Sequence, residues 1–247
     1  MDGGVRSRRG TRALRHARRQ GREGVRRPPP GPARPQAVAL AAPVTIVVVS
    51  WNTRELLAAC LDSLRPDVDA GLAEVCVVDN ASDDGSADLA AHHAPWARVI
   101  ASSSNLGFGP AVNLGAEGST ATWIAPANAD IALHDGALAA LLAAGGREPR
   151  AGVLAPRLRM LDGATQHSVH PFPRLSTTLA LTAGLPVILP ALGRRAALEG
   201  FWDPEVPRRV DWAHGAFLLV RRDAWEQIAG FDPNQWMYAE DLDLCWR

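Results

Sequence analysis

The sequence predicts an α/β protein built on a mostly parallel central sheet flanked by helices. Three observations point to it. The run "VTIVVVS" from Val44 to Ser50 is β-branched without interruption up to its closing serine, as expected of a strand covered on both faces. Strand-like and helix-like patterns then alternate repeatedly along the chain. Finally, Ser50, Asp79 and Asp130 each stand at or just past the end of an apolar strand, where ligands of open parallel sheets bind.

Taken in order, residues 1–37 combine an arginine-rich run with Pro28 to Pro30 and several glycines, and no apolar periodicity offsets the entropy of ordering them. A disordered extension is expected here, followed by one catalytic-type domain over 43–247. After the first strand, "TRELLAACLDSL" carries helical spacing at Leu56, Leu57, Cys60, Leu61 and Leu64. "EVCVVD" (Glu74 to Asp79) reads as a second strand, and Asp83 or Asp84 then caps a helix through Ala91. "RVIAS" is a short third strand. "ATWIAPANAD" (Ala121 to Asp130) begins as a fourth, and the Ala- and Leu-rich stretch from Asp135 to Ala144 forms a helix closed by Gly145 and Gly146.

Composition excludes several classes. The 26 arginines balance 26 acids, and lysine is absent, so there is no whole-chain signal for nucleic acid and none is expected as a partner. The balance conceals two unlike parts. Residues 1–37 hold 11 arginines against 2 acids, a charge of +9, and the remainder carries −9. Three widely spaced cysteines, Cys60, Cys76 and Cys245, support neither a disulfide framework nor a zinc cluster, and suggest a reducing, cytoplasmic setting. The seven histidines are scattered without metal-ligand spacing, and His92, His93 and His134 read as surface residues.

Four constellations carry chemistry, each with a structural alternative. In Asp79-Asn80-Ala81-Ser82 a carboxylate leaving a strand can accept hydrogen bonds from a ribose or base, or the cluster can simply form a turn and cap. "NLGFGPAVNLGA" offers Gly107-x-Gly109, but Val112 replaces the third glycine of a dinucleotide fingerprint. It reads better as a glycine-permitted turn into a helix, with Asn105 and Asn113 facing the crevice. Asn128 and Asp130 flank Ala129 and suit a hard divalent cation shared with ligand phosphates; the alternative is an Asx-turn. In "YAEDLDLCWR", Glu240, Asp241 and Asp243 surround a helix start, where the macrodipole favours acids regardless of function. Together Asp79, Asp130, Glu240 and Asp241 suit a metal–nucleotide site with a general base.

In this order the motifs resemble the inverting nucleotide-sugar glycosyltransferases of family 2, in particular their rhamnosyltransferase-like branch. The likeness runs from "VTIVVVSWNTRELLAACLDSL" through "VCVVDNASDDGSADL", "NLGFGPAVNLGA", "WIAPANADI", "GVLAPRLRMLDGATQHS" and "VDWAHGAFLLVRRDAWEQIAGFD" to "MYAEDLDLCWR". It implies a glycosyltransferase A fold, with nucleotide bound by the first half and acceptor by the second. It also implies nucleotide-sugar contacts at Ser50, Asn52, Asp79, Asn105, Gly107 and Asn113, and Mg²⁺ or Mn²⁺ held through Asp130 with a weaker contribution from Asn128. Asp241 would be the base, with Glu240 second in rank. Two departures stand out. Ala129 occupies the position where the family's strand-end motif has proline, and family members continue past the "ED" helix, so the domain is expected to be incomplete at its C-terminus.

The implied reaction moves a sugar, L-rhamnose in the related branch, from a nucleotide-diphosphate donor to a glycan or lipid-linked acceptor of the cell envelope. The competing readings are a nucleotidyltransferase sharing the nucleotide crevice, and an inactive nucleotide-binding fragment. "LSTTLALTAGLPVILPALG" (Leu175 to Gly193) approaches the length of a membrane span, but Pro186 and Pro190 interrupt it. An acceptor-side lid or a peripheral contact with the inner face of the plasma membrane is expected instead.

Overall fold

Alternation of facing side chains along the central strands divides the core into two layers. In this computed structural model, which describes residues 42–175, 179, 182–191 and 205–247, Ile46, Val48, Val75 and Val77 pack on one face of the sheet. Val47, Cys76 and Val78 pack on the other. All described residues belong to the unit Leu40–Arg247. The extension expected over 1–37 lies outside them, as do residues 176–178, 180, 181, 192 and 193 of the stretch from Leu175 to Gly193.

Strands β1 (Val44–Ser50), β2 (Ala73–Asp79), β3 (Arg98–Ala101) and β4 (Trp123–Asn128) are the parallel part of a six-stranded sheet. The short β5 (Val153–Leu154) and β8 (Leu219–Arg221) complete it as antiparallel neighbours, giving the order β3-β2-β1-β4-β8-β5. Between them in the chain, β6 (Val169–His170) pairs with β7 (Trp212–Ala213) in a separate two-stranded sheet. Helices α1 (Arg54–Asp69), α2 (Ser86–His93) and α4 (Ala137–Arg147) contribute to the first core layer. Helices α3 (Phe108–Ala116) and α7 (Glu240–Trp246) contribute to the second. The described part also includes α5 (Leu185–Ile188) and α6 (Arg222–Ile228).

Along α1, Leu57, Cys60, Leu61 and Leu64 are fully buried, and each leucine contributes about 1.5–3 kcal/mol by leaving water. Leu56, placed on the same apolar stripe by its spacing, is instead 52% exposed. The stripe needs only one residue per turn plus its i+3 or i+4 neighbour, and Leu56 falls on its far edge. Helix α4 does not stop at Gly145 and Gly146 but continues to Arg147. Gly145 is there for packing: a Cβ at that position would strike the Trp123 indole, over which the Arg221 guanidinium also sits at 4.3 Å.

Candidate active site

In-register pairing of the parallel strands brings their polar ends side by side. Ser50 lies opposite Asp79 across β1 and β2, and Val49 lies opposite Asn128 across β1 and β4. Ser50 and Asp79 are buried, at 0% and 2% exposure. The Ser50 hydroxyl meets the Thr53 hydroxyl at 2.9 Å, and Asp79 Oδ2 accepts the Ser82 N–H at 3.0 Å. Asp79 Oδ1 is buried with no hydrogen-bond partner. Such an oxygen is costly to leave unpaired and suits a ligand hydroxyl or N–H.

The loops leaving β1 and β2 are stitched together. The Asn52 N–H donates to Ser82 Oγ at 2.9 Å, and Asn52 Oδ1 accepts the Asp83 N–H at 2.9 Å. Asn52 adopts φ +53°, a left-handed conformation that asparagine tolerates better than most residues. Asp84 accepts the Ser86 N–H at 2.9 Å and the Arg54 N–H at 3.0 Å, so one carboxylate serves the starts of both α1 and α2. Of the two cap candidates in the sequence, Asp84 has this role.

Asn80 organises this end of the crevice, a role its local sequence does not reveal. Its buried amide donates to Asn105 Oδ1 at 2.8 Å and to the Gly107 carbonyl at 3.2 Å, and its oxygen accepts the Leu106 N–H at 2.8 Å. Asn105 Oδ1 also accepts the Gly107 N–H at 2.9 Å. The 105–107 loop is thereby tied to the end of β2. Gly107 has φ +87°, and a Cβ there would collide with the Trp236 carbonyl, so only glycine fits beneath the 232–239 segment. Asn113 differs from the other residues expected to touch the nucleotide. Its amide donates to the Phe231 carbonyl at 2.8 Å and its oxygen accepts the Phe231 N–H at 3.0 Å. Both polar ends therefore hold the Phe231 main chain.

On the far side of the crevice, the Asn128 N–H donates to the Ala216 carbonyl at 2.9 Å. One residue earlier in that segment, the Gly215 N–H donates to Asp241 Oδ2 at 2.9 Å. Asp241 Oδ1 accepts the Leu242 N–H at 2.8 Å. The main chain at 215–216 therefore links the end of β4, which carries Asn128 and leads to Asp130, with the first turn of α7. Asp130 is exposed, and its carboxylate makes no hydrogen bond or ion pair among the described residues. Glu240 is half-buried with Oε2 unpartnered, and burial, with help from Asp241, pushes its carboxyl above the ordinary glutamate range.

The histidines do not stay scattered. Pairing of β6 with β7 gathers His167, His170 and His214 beside Trp212. His170 and His214 approach Nε2 to Nε2 at 3.0 Å, and His170 stacks on Trp212 with ring centroids 4.6 Å apart. Burial first, then the His167 and His214 rings, hold the His170 pKa down to about 4 despite the nearby Asp241. In the unfolded chain the same imidazole takes a proton near pH 6.5. Stability from the neutral ring is therefore complete above about pH 6.5 and is lost as the pH falls toward 4. Replacing His170 by Phe should flatten the fall in melting temperature across that window, measured by circular dichroism. An unchanged slope would place the acid sensitivity elsewhere.

The fold and crevice define a class. Mannosyltransferase PcManGT from Pyrobaculum calidifontis, solved with GDP-Man and Mn²⁺, superposes with a TM-score of 0.56 at 19% identity, covering 83% of this chain and 51% of that one. TarS 1–349 of S. aureus superposes at 0.53 and 15% identity, covering 81% and 53%. The architecture is thus the glycosyltransferase A fold. The profile of Glycosyl transferase family 2 matches residues 45–198, and the chain belongs to that family.

Among curated relatives, an N-acetylglucosaminyl-diphospho-decaprenol L-rhamnosyltransferase of Mycobacterium tuberculosis is 35% identical over 195 residues, 69% of this chain and 59% of the relative. The chain therefore spans less than two thirds of that protein's length. Rhamnosyltransferase WbbL of Escherichia coli is 50% identical over 38 residues, 15% of this chain and 14% of the relative.

Proposed function

We propose that this chain carries the catalytic unit of an inverting glycosyltransferase that moves L-rhamnose from a nucleotide diphosphate, dTDP-L-rhamnose, to an N-acetylglucosaminyl-diphospho-lipid of the cell envelope. The observation that carries the reading is Asp241, a carboxylate held by two main-chain N–H groups and linked through residues 215–216 to the end of β4, the strand paired with the one that ends in the buried Ser50. The similarity to the mycobacterial rhamnosyltransferase supports the choice of sugar and acceptor.

In this reading, Asp79 Oδ1, Ser50 and the loops carrying Asn52, Asn105 and Gly107 receive the nucleoside. Asp241 takes the proton of the acceptor hydroxyl as that oxygen attacks the anomeric carbon from the face opposite the departing nucleotide. Attack from the opposite face inverts the centre and needs no covalent intermediate. The two N–H groups on Asp241 orient the carboxylate. The residues present also fit a hard divalent cation: Asp130 offers exposed, unpaired oxygens and Asn128 an amide oxygen at a strand end. No cluster of three protein ligands exists among the described residues. Mg²⁺ or Mn²⁺ held there, with substrate phosphates completing its ligands, would supply charge stabilisation for the leaving diphosphate.

The described part of the apolar stretch exposes Leu179, Val187, Ile188 and Leu189. No helix among the described residues is long and apolar enough to cross a membrane. Peripheral contact with the inner face of the plasma membrane, where a lipid-linked acceptor resides, accounts for these side chains.

The cation is tested by titrating dTDP calorimetrically with and without Mn²⁺. Binding should require the metal, and Asp130→Ala should abolish the metal-dependent part. Equal affinities in all three experiments would remove Asp130 from the metal site. Incubation with dTDP-L-rhamnose and acceptor should release dTDP and give a product of inverted anomeric configuration by NMR. Release of pyrophosphate would point instead to nucleotidyl transfer.

A further inference from the structure

The β6–β7 sheet carries a group of rings that the proposed chemistry does not use. His170 ends β6, and Trp212, Ala213 and His214 follow one another along and just past β7. His214 immediately precedes Gly215, whose N–H holds Asp241. The His214 N–H is itself fixed on the Ser168 carbonyl at 2.8 Å, and the Trp212 indole donates to the Pro171 carbonyl at 3.1 Å. At the other end of α7, Trp246 is 68% exposed and meets Phe172 edge-to-face at 4.9 Å. Rings from two separate elements therefore border the first and last turns of the helix that bears the base.

Hydrogen-bond arithmetic gives this group a chemistry. A 3.0 Å contact between two Nε2 atoms requires one to donate and the other to accept. In the uncharged pair, the ring that donates through Nε2 then has a bare Nδ1, and the accepting ring carries its proton on Nδ1. Neither Nδ1 has a protein partner among the described residues. The pair thus presents one fixed donor and one fixed acceptor, a match for sugar hydroxyls, which both donate and accept. Aromatic faces and edges nearby suit the C–H surface of a pyranose. The depressed pKa of His170 keeps its ring neutral at physiological pH, so it retains both roles.

We propose that His170 and His214, flanked by Trp212, form the subsite that binds the pyranose ring of the acceptor and presents its hydroxyl to Asp241. The assignment rests on the glycosyl-transfer reading above and deepens it by naming the residues that choose the acceptor. It separates two duties: Ser50 and Asp79 serve the nucleotide, while the imidazole pair serves the acceptor sugar.

The test uses the whole chain labelled with ¹⁵N-histidine, with a short-chain N-acetylglucosaminyl-diphospho-prenol as probe and dTDP with Mn²⁺ present throughout. The ring nitrogens of His170 and His214 should shift saturably with the probe and stay fixed when dTDP and Mn²⁺ are added alone. His170→Phe keeps a ring on Trp212 but removes both nitrogens, and should weaken probe binding by about tenfold, the equivalent of one good hydrogen bond. Its dTDP affinity should remain within about twofold of wild type, since no contact of these rings involves Ser50, Asn52, Asp79, Asn105 or Gly107. His214→Asn, which retains a donor and an acceptor, should lose less than His214→Ala. A merely structural pair would move the melting temperature in all three variants but leave probe affinity of the folded protein unchanged, and that result overturns the subsite. Resonances that respond to dTDP alone would overturn it by placing the pair in the donor site. A wild-type chain that binds dTDP but gives no saturable response to the probe also overturns it. Failure to bind dTDP at all would instead sink the underlying transferase reading, and the subsite with it.

Discussion

Asp241→Asn should lower sugar transfer by roughly 10²- to 10⁴-fold while leaving donor affinity essentially unchanged. The substitution preserves size, and its amide oxygen can still accept the Gly215 N–H that now holds Oδ2. What it removes is the ability to take a proton. The measurement is initial-rate transfer from dTDP-L-rhamnose, paired with calorimetric titration of dTDP in Mn²⁺. Transfer at the wild-type rate would exclude Asp241 as the base and direct attention to Glu240, whose raised pKa and unpartnered oxygen make it the next proton acceptor in reach. Loss of dTDP affinity together with rate would show that the carboxylate serves the nucleotide or its metal. A base that contacts only the acceptor has nothing to lose in the donor complex.

Asn113→Ala should have its large effect on stability, lowering it by about 2–4 kcal/mol. Both hydrogen bonds to the Phe231 main chain disappear, and an N–H and a carbonyl are stranded next to a core residue that is 1% exposed. Phe231 also packs edge-to-face on Phe108 and Trp225, so its displacement would loosen α3 and α6 together. Denaturant unfolding gives the loss directly. The fraction that remains folded should bind dTDP as wild type does. A selective fall in dTDP affinity with stability intact would return Asn113 to the nucleotide site, as its place in the sequence motif suggests.

The contrast between Asn113 and Asp79 shows how far a motif can be read. Asp79 lies at a strand end, and strand ends follow from hydrophobic pattern alone, because a buried β-branched run must stop where polar residues begin. Asn113 lies inside a helix, where the partner of a polar side chain depends on which distant segment passes over that face. Here it is a residue 118 positions away. The same distinction applies to Asn80, hidden in a turn-forming cluster whose side chains could all have been local caps. Its actual bonds reach the 105–107 loop and set the shape of the crevice.

By itself, the amino-acid sequence determined the repeated βα units, the parallel central strands and the collection of Ser50, Asp79, Asn128 and Asp130 at one edge of the sheet. These are consequences of local periodicity and of the rule that parallel strands end at a common edge. The antiparallel additions β5 and β8 were too short to leave a period, at two and three residues. Only the tertiary structure decided that Gly215 would hold Asp241, that segment 232–239 would close over Gly107, and that His170 would meet His214 across a two-stranded sheet. Each joins residues far apart in the chain through a single contact. Such pairings depend on three-dimensional packing, because neither partner's local sequence distinguishes a side chain with a distant partner from one facing water.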